Sequence, residues 1–180
     1  MISLIQSLNG TMTLQDLKSY TVSIKEPLKI NFHNYNLYTT TAPSSGAVMF
    51  NILKIMEQYP PSSLPNTNLT THRFVEAMKF AYGARQELGD PAYIGNMTHY
   101  QDLMISSSKA HEIRHRILDN QTQPLSAYNP LSIYSPDSKG TSHIVAADAS
   151  GLTVSTTTTI NLLFGARISW ALEEEIMRSW

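Results

Sequence analysis

Gly140-Thr-Ser-His-Ile-Val-Ala-Ala-Asp-Ala-Ser-Gly151-Leu-Thr-Val-Ser-Thr-Thr-Thr-Thr-Ile160 is the stretch from which the rest of the chain is read. Ser142 to Ala147 suits a pleated surface, Asp148-Ala-Ser-Gly151 carries turn chemistry, and Thr153 to Ile160 is β-branched at nearly every position. Together they predict a β-hairpin. With Ala149 and Ser150 opposite one another, the register sets Thr141 beside Thr158 and within one place of Thr159. The pairing gathers hydroxyl groups at the end where the chain enters the hairpin.

Working upstream, Gln121 to Lys139 is rich in Pro and Ser and lacks periodicity. A loop of this length in a compact domain is usually functional, and it is where a chain is most easily cut. Cutting before Thr141 would free the α-amine of Thr141, which can act as general base for the hydroxyl of its own residue. Gly140 has the conformational freedom to strain the peptide to be broken, and a buried strand is expected directly after it.

Composition narrows the alternatives. Lys and Arg total 13 and Asp and Glu 14 in 180 residues, a formal net charge of −1, so no nucleic-acid partner is expected. With 42% hydrophobic and 15% charged residues the chain can bury a core, and its length suits one domain. It has no Cys, which leaves Ser, Thr, Lys or a carboxylate for covalent chemistry. No apolar run approaches the roughly 18 residues of a spanning helix. Met1 to Gly10 lacks the features of a signal peptide. Four sequons, at Asn9, Asn68, Asn96 and Asn120, nevertheless point to a secretory or lumenal chain.

Residues before the hairpin alternate between helical and extended patterns. Thr13-Leu-Gln-Asp16 predicts a capped short helix ending near Tyr20. Thr21 to Ile30, interrupted at Pro27, and Asn36 to Thr40 read as strands, with a turn at Asn34. Val48, Ile52, Leu53, Ile55 and Met56 predict a helix that stops before Pro60-Pro61. A longer helix capped by Thr71 is expected to bury Phe74, Val75, Met78, Ala81 and Tyr82, with Arg73, Glu76, Lys79 and Arg85 largely on other faces, and to end by Gly89-Asp-Pro91. Residues 99–105 and 109–118 read as two further helices.

The hairpin, with Gly140 to Gly151 continuing as Val154 to Gly165, resembles the processing site and first small-subunit hairpin of the γ-glutamyltransferases, or glutathione hydrolases. Upstream, Gly10-Thr-Met-Thr with Asp16-Leu, Ala42-Pro-Ser-Ser-Gly46, and His72-Arg-Phe-Val-Glu-Ala-Met-Lys-Phe-Ala-Tyr82 with Leu88-Gly-Asp-Pro91 resemble successive large-subunit blocks in the expected order. The resemblance covers nearly all of residues 9–168. It implies an α+β chain, a partial αββα N-terminal-nucleophile sandwich truncated at both ends. Residues 1–140 would be the C-terminal part of a large-subunit region, 141–168 the start of a small-subunit region, and 169–180 a divergent tail.

The resemblance further implies self-cleavage between Gly140 and Thr141, a large/small subunit heterodimer, and attack by Thr141 on the γ-glutamyl amide of glutathione. The acyl group passes to water or to an amino-acid or dipeptide acceptor, without cofactor or metal. Thr159 would hold and orient Thr141, and Asn161 would bind the α-amino-acid end of the glutamyl group. The family's acidic ligands, Ser pair, Gly-Gly oxyanion hole and carboxylate-binding Arg are not among the residues of this chain. A second expectation is therefore a noncatalytic paralogue or an incomplete reading frame. The location implied is the outer face of the plasma membrane, the extracellular space or the vacuole.

His143 reads as structural. His111 and His115, with Glu112 between them, have the i, i+4 spacing of metal ligands, but a solvated helix face is expected because no third ligand accompanies them. Arg73, Glu76, Lys79 and Asp90 read as ion pairs or caps of the long helix, and the eight Met as core filler. Trp170, Ile176 and Met177 would share overlapping faces of a short terminal helix.

Overall fold

The computed structural model describes residues 1–133 and 140–168; the terminal helix expected after Ser169 lies outside them. The chain forms two compact units, one of Met1–Ser23 with Pro136–Trp180 and the other of Ile24–Ser135.

The first unit begins with two short helices, α1 (Ile2–Ser7) and α2 (Leu14–Ser19). At α2 the expected cap is present in full. The Thr13 hydroxyl accepts from the Asp16 N–H at 3.2 Å, and the Asp16 carboxylate accepts from the Thr13 N–H at 2.7 Å. These two bonds satisfy orphan donors of the first turn reciprocally.

In the second unit β1 (Leu28–Phe32) pairs antiparallel with β2 (Tyr35–Thr39), Leu28 opposite Thr39 and Phe32 opposite Tyr35. The turn at His33-Asn34 falls where Asn34 predicts it, but residues 21–27 form no strand. Pro27 can donate no ladder hydrogen bond, so pairing begins only after it. Leu28 and Ile30 point inward on alternate positions. They join the core of α3 (Gly46–Met56), α4 (Thr67–Arg85), α5 (Met97–Met104), α6 (Ser107–Arg116) and the short α7 (Leu125–Tyr128). Phe50 and Ile55 of α3 are wholly buried at its centre.

The long helix departs from expectation at its start and in its buried face. Asn66 caps it, its Oδ1 accepting from the Leu69 N–H at 3.1 Å, which leaves Thr71 inside the helix. The buried positions are Arg73, Glu76, Ala77, Phe80 and Ala81, whereas Phe74, Val75 and Tyr82 are 41%, 42% and 51% exposed. Apolar spacing misplaced this face because the two buried charges are matched by groups distant in sequence. Arg73 makes a bidentate pair with Asp119 at 2.8 and 2.6 Å and lies over the Tyr59 ring. Glu76, 1% exposed, accepts hydrogen bonds from Lys79, Thr122 and the Tyr128 hydroxyl. Lys79 thus pairs with Glu76, while the Asp90 carboxylate accepts from the Ala92 N–H. The backbone of α7 is fitted against α4 at Gly83, where a Cβ would sit 1.8 Å from the Tyr128 carbonyl oxygen.

Burial alone would raise the Glu76 carboxyl, but the hydrogen bonds from Lys79, Tyr128 and Thr122 outweigh it and hold the group below its ordinary value. A carboxyl depressed in the folded state contributes stability that is present above its unfolded value and lost as pH falls through the folded one. Glu76→Ala is expected to destabilise the unit by about 1–3 kcal/mol, since it takes the carboxylate acceptor from the buried Tyr128 hydroxyl, while Lys79, 38% exposed, turns to water. Glu76→Gln should flatten the acid limb of a stability–pH curve. Urea melts from pH 7 to pH 3 check both.

β3 (Ser142–Ala147) and β4 (Thr153–Thr158) form the expected hairpin, with one correction to the register. Ser142 pairs with Thr158 and Ala147 with Thr153, one place from the reading based on Ala149 opposite Ser150. The Asp148 N–H donates to the Leu152 carbonyl at 3.0 Å, so three residues span the turn, with Gly151 at φ 87°. An odd loop with a left-handed glycine at its end is a standard way to close a hairpin, and it shifts pairing by one. The Asp148 carboxylate secures the turn by accepting from the Ser150 hydroxyl and the Ser150 and Leu152 N–H groups, which holds it below its ordinary value.

The strands are exposed on both faces, with Ile144 63%, Val145 59% and Val154 56% accessible, so the expected burial is absent. Among the described residues no layer covers this two-stranded sheet. β4 also ends at Thr158, two residues early, because the chain turns at Asn161, where φ is 70°.

Candidate active site

The residues to which the resemblance gives a part in acyl transfer, Gly140, Thr141, Thr159 and Asn161, lie at the open end of the hairpin. Gly140 leads into β3 with φ 120°, a backbone conformation that side chains rarely adopt. Thr141 follows immediately, and the observed register, continued by one residue, puts it opposite Thr159. The corrected pairing therefore brings the two threonines closer than the sequence reading did.

The Thr159 hydroxyl donates to the Gly140 carbonyl oxygen at 3.0 Å. It also accepts from the Asn161 N–H at 2.9 Å. A hydroxyl has one proton to give. With the Asn161 N–H filling an acceptor position, that proton is directed at the carbonyl of the Gly140–Thr141 peptide. The expectation had Thr159 orienting Thr141 itself; in the structure its proton is committed one residue earlier, to the Gly140 carbonyl. Asn161 reaches the site through its main chain. Its left-handed backbone is one that Asn tolerates better than most residues, and it turns the N–H back toward β4.

No side-chain rule could have identified this N–H or the Gly140 carbonyl, since every residue but proline carries both groups. The clue lay in the spacing of two residues from Thr159 to Asn161, which fits a side-chain-to-backbone turn.

His143 bridges two hydroxyls across the strands. Its Nδ1 lies 2.9 Å from Thr157 Oγ1 and its Nε2 3.0 Å from Ser155 Oγ. Both ring nitrogens are engaged, which fits the structural reading. Among the described residues no group of three or more His, Cys, Asp or Glu converges as a metal site.

In chemical terms the site offers a hydroxyl on Thr141 and a glycine at a special φ before it. It also offers a hydrogen-bond donor already aimed at the carbonyl where negative charge would develop on acyl transfer.

The Gamma-glutamyltranspeptidase family model matches residues 1–171. A glutathione hydrolase of Aspergillus flavus is 44% identical over 169 residues, and a glutathione hydrolase proenzyme of Arthroderma benhamiae 46% over 169. Each alignment covers 93% of this chain and 29% of the relative, so the chain spans less than a third of their length. The crystal structure of Helicobacter pylori gamma-glutamyltranspeptidase matches with a TM-score of 0.60 at 29% identity, covering 66% of this chain and 34% of that one. The mixed helices and hairpins described above are thus part of an N-terminal-nucleophile hydrolase fold. Because the family pattern runs unbroken through both units and the whole hairpin, this chain belongs to the gamma-glutamyltranspeptidase family.

Proposed function

We propose that the protein carrying this chain is a γ-glutamyltransferase with glutathione hydrolase activity, and that it creates its own nucleophile. The observation that carries the proposal is the 3.0 Å hydrogen bond from Thr159 to the Gly140 carbonyl. Thr141 Oγ bonds to the Gly140 carbonyl carbon as its proton departs, and charge collects on the oxygen that Thr159 faces. Collapse breaks the C–N bond, the Thr141 nitrogen takes up a proton, and an ester joins Gly140 to Thr141 Oγ. Water then hydrolyses the ester, leaving a Gly140 carboxylate and a Thr141 with free amine and hydroxyl.

The amine now serves as base for the hydroxyl. Thr141 attacks the γ-glutamyl amide of glutathione, the cysteinylglycine amine departs protonated, and the acyl group passes to water or to an amino-acid or dipeptide acceptor. Asn161 holds the α-amino-acid end of the glutamyl group. Residues 1–140 belong to the large subunit and 141–168 to the small subunit of the resulting heterodimer, with 169–180 as a divergent tail. A secretory location accords with four sequons whose Asn side chains are all exposed. The presence of proenzymes among the relatives supports a precursor that is cut.

Intact mass tests the cleavage. The expected result is two fragments meeting between Gly140 and Thr141, and a mature N-terminus beginning Thr-Ser-His. A chain that stays whole over days at 37 °C, with both units folded by circular dichroism, would sink the proposal.

A further inference from the structure

On α6, remote in sequence from the hairpin, two histidines stand one turn apart. The rings of His111 and His115 meet edge-on, with centroids 4.4 Å apart, and their Nε2 atoms are 3.0 Å from one another. Both residues are exposed, whereas Ala110 and Ile113 of the same helix are buried. Neither ring is needed for packing the core, so the pair is accessible from solvent.

The separation has chemical meaning. Two metal–imidazole bonds of about 2.0–2.1 Å meeting at a right angle place their nitrogens about 2.9 Å apart, whereas a tetrahedral angle places them about 3.4 Å apart. The observed 3.0 Å is the length of the hydrogen bond the two rings share, and it already holds the nitrogens at the span of adjacent corners of a square or octahedron, so a small turn of each ring aims both lone pairs at one ion. From this match we propose that His111 and His115 form a surface chelate for a divalent ion of the Cu²⁺ and Ni²⁺ type, which favour imidazole and right-angled coordination. Binding replaces the hydrogen shared by the two Nε2 atoms with the ion, the donor ring then carrying its proton on Nδ1. Water fills the remaining positions, so a third protein ligand, whose absence favoured the solvated-face reading of the sequence, is not required.

The surroundings are compatible with a cation. His115 lies in the last turn of α6, where the partial negative charge of the helix C-terminus favours positive charge. Of the flanking cations, Lys109 pairs with Glu112 at 2.9 Å, Arg116 lies 3.9 Å from the same carboxylate, and Arg114 is drawn over the Tyr59 ring.

Calorimetric titration of the full chain with CuCl₂ and with NiCl₂ tests the site, and electron paramagnetic resonance of the copper form counts its nitrogen ligands. The expected result is one tight equivalent with two imidazole nitrogens. His111→Gln and His115→Gln should each weaken binding by about tenfold or more, because loss of either ring removes the intramolecular second ligand. His99→Gln, at an exposed histidine of α5, should leave affinity unchanged. Binding that persists undiminished in both variants, or a copper spectrum with a single nitrogen, would overturn the site. Because both side chains are exposed, circular dichroism of the variants should match the parent, so a loss of binding reads as a loss of ligands. The outcome does not depend on self-cleavage or turnover.

Discussion

Thr141→Ala is expected to leave the protein as one polypeptide, with no fragments meeting at residues 140 and 141, and to abolish release of a coloured amine from a γ-glutamyl anilide. Removing the nucleophile of an acyl-transfer enzyme costs on the order of 10⁶-fold in rate. In the proposed mechanism the effect is compounded, because the same hydroxyl would be needed first to cut the chain and then to attack substrate. Thr141 is exposed, so its truncation should change stability by less than about 0.5 kcal/mol. Unit melting therefore separates lost chemistry from lost folding. Thr141→Ser, which keeps both hydroxyl and amine, should still cleave. A Thr141→Ala protein that is cut at the same bond would assign the cleavage to another protease and remove the self-processing step.

The second large effect falls on Thr159. Thr159→Val keeps the shape and deletes the donor to the Gly140 carbonyl. Self-cleavage should then slow by about 10²–10³-fold, the scale seen when one donor to a developing oxyanion is removed. Thr159→Ser should restore most of the rate, because its hydroxyl can occupy the same position between the Gly140 carbonyl and the Asn161 N–H. That rescue distinguishes hydrogen bonding from a packing role, which valine would fill better than serine. Time courses of fragment formation by gel and mass spectrometry provide the measurement. Cleavage by Thr159→Val at the parent rate would mean that the hydrogen bond only decorates the hairpin end.

The same hydrogen bond separates what could be read from the sequence from what could not. Local rules sufficed for the capping box at Thr13 and Asp16, the helix before Pro60-Pro61, the turn at Asn34 and the hairpin, because each depends on residues within a few positions. They also brought Thr141 near Thr159, since a hairpin with recognisable turn chemistry fixes which residues approach, whereas Asn161 was singled out only by the family resemblance.

Where the reading failed, the deciding partner was distant or belonged to the backbone. The face of α4 was misplaced because Arg73 and Glu76 are buried on the strength of Asp119, Thr122 and Tyr128, dozens of positions away. The hairpin register was off by one because the left-handed turn at Gly151 sets the loop length. The sequence by itself determined the inventory of chemistry in this protein: a glycine before a threonine, a threonine-rich strand, and two histidines one turn apart. Tertiary structure alone decided where each proton points and which charges are buried, because hydrogen-bond direction and desolvation depend on distances that exist only once the chain has closed on itself.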